Sequence, residues 1–175
     1  MKSSWAFDKA RSLFAYEKII ARLIHDLKYS GKTTGIETIG WLSRQSAIMG
    51  DFDNPDLILP VPLHVKRLRQ RGFNQAQVLA KSIFPDDRKK IRTDLLTRQT
   101  DTQSQTGLSG KQRRENLKNA FIAKEPSSLT GRNLLILDDV FTTGTTVNEC
   151  AQALKIAGCN RVEILTICRA DKTLA

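Results

Sequence analysis

The sequence is short of cysteine and has no long apolar run, and each shortage removes a class of protein. The three cysteines are Cys150, Cys159 and Cys168, with none earlier in the 175-residue chain. They form no C-x-x-C pair and have no histidine beside them. An odd number without an export signal argues for free thiols rather than a disulfide framework. Their expected role is that of small buried side chains. No apolar stretch approaches the roughly 20 residues of a membrane span, so membrane insertion is not expected. The opening MKSSWAFDKARSLF has no apolar core of signal-peptide length, and the chain is read as cytoplasmic. Two nucleotide-binding signatures are also missing. There is no G-x-G-x-x-G, and no G-x-x-x-x-G-K-[ST], since GLSGKQ at 107–112 has the wrong spacing.

What is present suits one globular domain with a proper core. Hydrophobic residues make up 40% and charged residues 26%, ordinary values for such a protein. The net charge of +10 is uneven: residues 61–120 carry 14 Lys/Arg against 5 Asp/Glu, so nearly all the surplus lies there. That asymmetry implies an anionic partner, a phosphorylated small molecule or a nucleic acid or both.

Along the chain, Tyr16, Ile20, Leu23, Ile24 and Leu27 share one face of a helix predicted over Phe14 to Tyr29. YSGKTTG breaks it, and Ile36 to Met49 is a second predicted helix. Leu57 to Leu59, closed by PVP, is a short apolar strand of the kind a doubly covered parallel sheet buries. Gln75 to Ile83 is helical in pattern, with Asn74 as a candidate N-cap. Asp94 to Leu96 is a weaker strand. Residues 97–110, TRQTDTQSQTGLSG, form a long polar loop of the functional or disordered kind. A basic helix is expected at Lys111 to Asn119 and a strand at Ala120 to Ala123. Leu134 to Leu137 is the clearest strand and Thr145 to Ala157 the clearest helix, with Gly158 as its C′ residue. A final strand is expected at Arg161 to Cys168. Strands alternating with helices indicate α/β architecture with a mainly parallel sheet.

The stretch LLILDDVFTTGTT, Leu134 to Thr146, carries the chemistry. In open α/β sheets ligands bind beyond the carboxyl ends of strands, and Asp138 and Asp139 stand at such an end. A tight Thr/Gly turn running into a helix offers successive backbone N–H groups, an anion cup that suits phosphate. Gly144 lets the backbone approach, and Thr142, Thr143, Thr145 and Thr146 add uncharged donors. Two carboxylates would repel a phosphate but accept well from a diol. A ribose 5-phosphate offers both groups at a fixed distance.

This stretch resembles the 5-phosphoribosyl 1-diphosphate (PRPP) motif of type I phosphoribosyltransferases. LKYSGK (27–32), PVPLHVKRLRQRGFNQAQVLA (60–80) and QTGLSGKQRRENLKNAF (105–121) resemble, in order, the blocks of the ComF family of competence-associated, amidophosphoribosyltransferase-like proteins. The resemblance implies a parallel sheet flanked by helices in a single domain, residues 1–175, with a helical hood over 1–50 and an α/β core over 51–175. It implies PRPP with Mg²⁺ as the ligand: Asp138 and Asp139 on the ribose hydroxyls and Thr142 to Thr146 on the 5′-phosphate. The diphosphate would meet the loop Val61, Pro62, Leu63 and His64, with charge from Lys66, Arg67 and Arg71. Loop 97–110 would be the lid over the reacting centre, with Arg113 and Arg114 at its far end. ComF-type proteins often begin with a cysteine-rich zinc segment. This chain has no cysteine before Cys150, and no zinc is expected in it.

Two functions stay open. One is Mg²⁺-dependent transfer from PRPP to a base or amine, and no general base stands out for it. The other is a PRPP-binding module acting in DNA uptake with recombination or uptake proteins. That module would contact single-stranded DNA through Lys66, Arg67, Arg69, Arg71, Arg113 and Arg114, basic residues with an aromatic neighbour in HVKRLRQRGF.

Overall fold

The structure, a computed structural model, describes residues 5–30, 35–52, 54–99 and 119–170. Its centre is a sheet of four strands, all parallel, in the order β1 (Lys9–Ala15), β6 (Arg161–Arg169), β5 (Asn133–Phe141), β2 (Leu57–Pro60). An isolated parallel bridge from Ile58 to Ile91 extends the sheet beyond β2. All four residues of β2, six of nine in β5 and seven of nine in β6 are buried, as expected for strands covered on both faces. A second, antiparallel pair joins β3 (Leu96–Arg98) to β4 (Phe121–Ala123).

Helices cover the two faces. On one face lie α1 (Lys18–Ser30), α2 (Ile36–Gln45) and α4 (Gln75–Ile83), whose Ile24, Leu27, Ile39, Leu79 and Ile83 share a core with Ile58, Leu135 and Leu165. On the other lies α5 (Thr145–Ile156), whose Val147, Cys150 and Leu154 pack with Leu134, Ile136, Ile164 and the β3–β4 residues Leu96 and Phe121. Between β2 and α4 the chain makes one further short helix, α3 (Val65–Arg71). All three cysteines are buried free thiols. No helix among the described residues is long and apolar enough to cross a membrane.

The predicted helix at α4 and strand at β2 stand within a residue of their predicted bounds, and Gly158 takes positive φ after α5. The first fifty residues depart from expectation. They are not a purely helical hood: Lys9–Ala15 is an edge strand paired with Glu163–Arg169, and the first helix starts at Lys18 rather than Phe14. The partner of that strand lies some 150 residues away, so no local pattern announces it. Tertiary pairing overrides the helical phase that Tyr16 shares with Ile20. The second predicted helix stops at Gln45 and continues as a 3₁₀ turn, Ala47–Asp51. Thr97 and Arg98, expected in the polar loop, belong to β3. The rest of that loop from residue 100, and all but Asn119 of the basic helix with Arg113 and Arg114, lie outside the described residues.

The segment Trp5–Asp8 runs beside α5 before entering β1. Asp8 exchanges backbone and side-chain hydrogen bonds with Val162 (2.8 and 2.7 Å) and pairs with Lys155 near the end of α5 (2.7 Å). Ala6 N–H donates to Asn148 Oδ1 (2.8 Å). Burial pushes the Asp8 carboxyl up, but the Lys155 ammonium and the Val162 N–H outweigh it and hold it below its ordinary 3.8. A depressed folded-state value stabilises above the unfolded value, and that contribution is lost as pH falls through the folded one. Asp8→Asn should therefore melt below the native chain at pH 7, with the gap closing as pH drops below 3.8. A pH series of thermal melts followed by circular dichroism measures this, and a gap unchanged by acid would refute it.

Candidate functional site

The chain leaves β2 toward α4 on one face and leaves β5 toward α5 on the other. Adjacent parallel strands whose connections diverge in this way open a crevice at their carboxyl ends, where α/β proteins bind ligands. Both segments singled out in the sequence reach this crevice.

After β2 come Val61, Pro62, Leu63 and His64. Val61 N–H donates to Leu137 O (2.9 Å), so this loop starts beside the aspartates. Asn74 secures it from the far side: its Nδ2 donates to Val61 O and its Oδ1 caps α4 at Ala76 N–H, both at 2.9 Å. His64 is buried and caps α3, its Nδ1 accepting from Lys66 N–H at 3.4 Å. Arg71 donates to Gln75 Oε1 at 2.5 Å, fixing the α3–α4 corner. Lys66 and Arg69 project from α3 as exposed cations, and Arg67 is half-buried. The diphosphate candidates thus divide into a tethered backbone loop, two residues that shape its corners, and cations beside it.

β5 runs four residues past its expected end at Leu137, through Phe141, and Asp138 pairs with Thr166 inside the ladder. A strand presents alternate residues to opposite faces. Asp138 therefore follows Leu134 and Ile136 toward α5, and Asp139 follows Leu135 and Leu137 to the other side. The accessibilities differ to match: Asp138 is half-buried and Asp139 only 5% exposed. Asp138 Oδ1 accepts from Asp139 N–H (2.9 Å), and Asp139 O accepts from the Cys168 thiol (3.7 Å). On α5, burial foremost and then the Asp138 charge push the Cys150 thiol well up, with Arg98 opposing them. Arg98 ends β3 and sits over the Phe121 ring at 5.6 Å. It is thus a cation close to the aspartate side of the crevice. The sequence reading missed it, because TRQ inside a polar stretch has no distinguishing pattern.

The Thr142–Thr146 loop then turns into α5. Thr142 is exposed, Thr145 is buried, and the Thr143 and Thr145 hydroxyls bond to each other at 2.9 Å. Gly144 is the N-cap at φ 72°. A Cβ there would lie 2.6 Å from Phe141 Cζ and 3.1 Å from Trp5 Cη2. Glycine is therefore required twice, for its left-handed backbone and for its missing side chain. Trp5 stacks on Phe7 (centroids 5.1 Å apart), so the loop is backed by an aromatic pair from the far end of the chain. That support was not foreseen from sequence either. The first-turn N–H groups of α5, which have no partner within a helix, point the loop toward an anion.

Residues 46–174 match the family model of the phosphoribosyl transferase domain. The chain belongs to the phosphoribosyl transferase domain family. Among curated relatives of this phosphoribosyl transferase domain protein is the DNA utilization protein YhgH of Escherichia coli O157:H7. It is 35% identical over 88% of this chain and 69% of its own length. Competence protein F of Haemophilus influenzae is 37% identical over 66% of this chain and 51% of its own. These relatives mark the chain as ComF-type within the family. A solved structure of glutamine PRPP amidotransferase from B. subtilis, complexed with ADP and GMP, aligns with a TM-score of 0.45 and 16% identity. It covers 76% of this chain and 26% of that one.

Two glycines of this phosphoribosyl transferase domain share a left-handed backbone but differ in surroundings. Gly131, at φ 73°, has nothing within 4 Å of an added Cβ. Gly131→Ala should cost about 1–2 kcal/mol for backbone strain alone. Gly144→Ala should cost about 2–4 kcal/mol, because overpacking against Phe141 and Trp5 adds to that strain. Urea unfolding of both variants measures the difference, and equal losses would contradict the close packing of the loop.

Proposed function

We propose that this protein binds PRPP together with Mg²⁺ at the β2–β5 crevice and works in DNA uptake and natural transformation. The observation that carries the reading is the meeting of the two motif segments. The Thr/Gly loop opens α5 directly after the acidic pair, and the Val61–His64 loop is hydrogen-bonded to the same strand. The 5′-phosphate would take the N–H groups and hydroxyls of Thr142 to Thr146. The ribose diol would take Asp138, the reachable carboxylate, while Asp139 stands nearly covered on the other face of the strand. The diphosphate would lie along Val61–His64 with Lys66 and Arg67 near. No group of three or more His, Cys, Asp or Glu among the described residues could hold an ion. Mg²⁺ would enter with PRPP, held mostly by phosphate and ribose oxygens, as this ion commonly is. When bound, it would neutralise diphosphate charge.

Binding is put ahead of turnover because the two motif segments supply groups that would hold a ribose phosphate and a diphosphate, and none of them is assigned to activate an acceptor. The second reading, transfer to a base or amine, would rest on positioning and charge stabilisation, to which Arg98 beside the Asp138 side gives some support. The names of the relatives and the exposed Lys66 and Arg69 on α3 support contact with single-stranded DNA.

Calorimetry with PRPP and Mg²⁺ should show saturable binding. Asp138→Ala should weaken it by roughly 10- to 100-fold, the worth of hydrogen bonds to a charged group. No heat with the native protein would sink the ligand assignment, whereas diphosphate release with an added base or amine would replace binding by catalysis. For the DNA contact, Lys66→Gln/Arg69→Gln should flatten the dependence of oligonucleotide affinity on salt by about 1.4 in log–log slope. An unchanged slope would remove α3 from the interface.

A further inference from the structure

Helices α2 and α4 cross at Gly40, and the crossing admits no side chain. A Cβ at Gly40 would stand 2.1 Å from Ser82 Oγ and 2.7 Å from Ser82 O. Polar bonds lock the pair: Ser82 Oγ donates to Ile36 O (3.0 Å), and the Arg44 guanidinium donates to Ser82 O. The two helices therefore hold a fixed angle. Beside their crossing lies an open groove of about 900 Å³. Its walls include Trp41 and Val78, and Arg44, Lys81 and Arg88 line it with positive charge. Glu37 is the one acid among the described residues that line it. Trp41 is 56% exposed, a large indole face left in water on a rigid helix pair.

The groove is remote from the crevice already described. Ser82 and Arg88 sit at or beyond the end of α4 opposite to Asn74, whose side chain holds the Val61 loop. A nine-residue helix separates those ends by about 13 Å. Nothing assigned to PRPP reaches this surface.

We propose that the α2–α4 groove binds single-stranded nucleic acid, with a base stacked on Trp41 and phosphates on Arg44, Lys81 and Arg88. The charge balance of three cations to one acid selects a polyanion. The exposed indole selects among polyanions, because an unpaired base offers it a π-face and a duplex or an inorganic polyphosphate does not. A preformed groove also spares the cost of ordering its walls on binding. The inference rests on the nucleic-acid part of the proposed function and is independent of the PRPP part. It adds a base-contacting surface at a place separate from α3.

The chain has two tryptophans, so Trp5→Phe leaves Trp41 as its one indole. Titrating that variant with oligothymidylate at low salt should quench the Trp41 emission. In anisotropy titrations, Trp41→Ala should weaken oligothymidylate binding by roughly 5- to 100-fold. Lys81→Gln/Arg88→Gln should lower the log–log salt slope by about 1.4, and it carries the test wherever Trp41→Ala disturbs folding. PRPP heats should be unchanged in Trp41→Ala and in Lys81→Gln/Arg88→Gln. If the oligonucleotide binds but emission, affinity and slope are untouched, the groove assignment fails and DNA contact through α3 stands. If a duplex binds as tightly as the single strand, base stacking on Trp41 is refuted. If the native chain binds no oligonucleotide at low salt, the groove and the DNA part of the proposed function fail together, whatever the PRPP result.

Discussion

The double backbone ladder of β5, bonded to β2 on one side and β6 on the other, is the constraint on which the rest depends. A strand paired on both edges and covered on both faces is apolar along its buried length unless a buried charge finds a partner. On β5 charge begins where cover thins: Asp138 is half-buried and still inside the ladder opposite Thr166, and Asp139 is nearly covered on the other face. Because α4 and α5 leave on opposite faces, the same point is where the crevice opens. The site is a consequence of the packing, and the acids and the Thr/Gly turn give it the hydroxyl acceptors and N–H donors on which the proposed ligand rests.

Support for that site comes from far along the chain. Gly144 can hold its left-handed turn because Phe141 folds beneath it and Trp5 backs it, and Arg169 lies over the Phe141 ring at 5.2 Å. Asn74 anchors the β2 side of the crevice by bonding Val61 while capping its own helix, and Val61 N–H ties that side to Leu137 of β5. Each of these residues spends a side chain on backbone geometry, which is what a rigid anion site requires. The division of the acidic pair follows the same logic. Strand alternation sends one carboxylate to each face, so the aspartates are unequal partners for any ligand, Asp138 reachable and Asp139 nearly covered.

Most of the α/β plan was legible. β2, α4, α5 and β6 declare themselves through continuous apolar runs or helical phase, and the Asn74 cap follows from residue chemistry. The length of β5 was not legible, because two adjacent acids read as the end of a strand, while the ladder to β6 carries it on to Phe141. β1 was hidden because its pattern, one buried leucine among half-buried and exposed residues, is that of an edge strand stabilised by a distant partner. Its Lys9 helps hold the buried Glu163 of β6 at 3.2 Å, a contact that no window of local sequence contains. Arg98 and Trp5 were missed for the same reason: they reach the crevice from segments whose own composition says nothing about it.

The sequence by itself determined the family to which the chain belongs and the donor and acceptor chemistry of one stretch, since Asp-Asp followed by a Thr/Gly turn is a purely local order of residues. The tertiary structure alone decided which aspartate faces the crevice, what braces Gly144, and where Trp41 stands among Arg44, Lys81 and Arg88. Those outcomes depend on strand register and helix crossing. Both are set by contacts between residues far apart in the chain, where no periodicity in the sequence can express them.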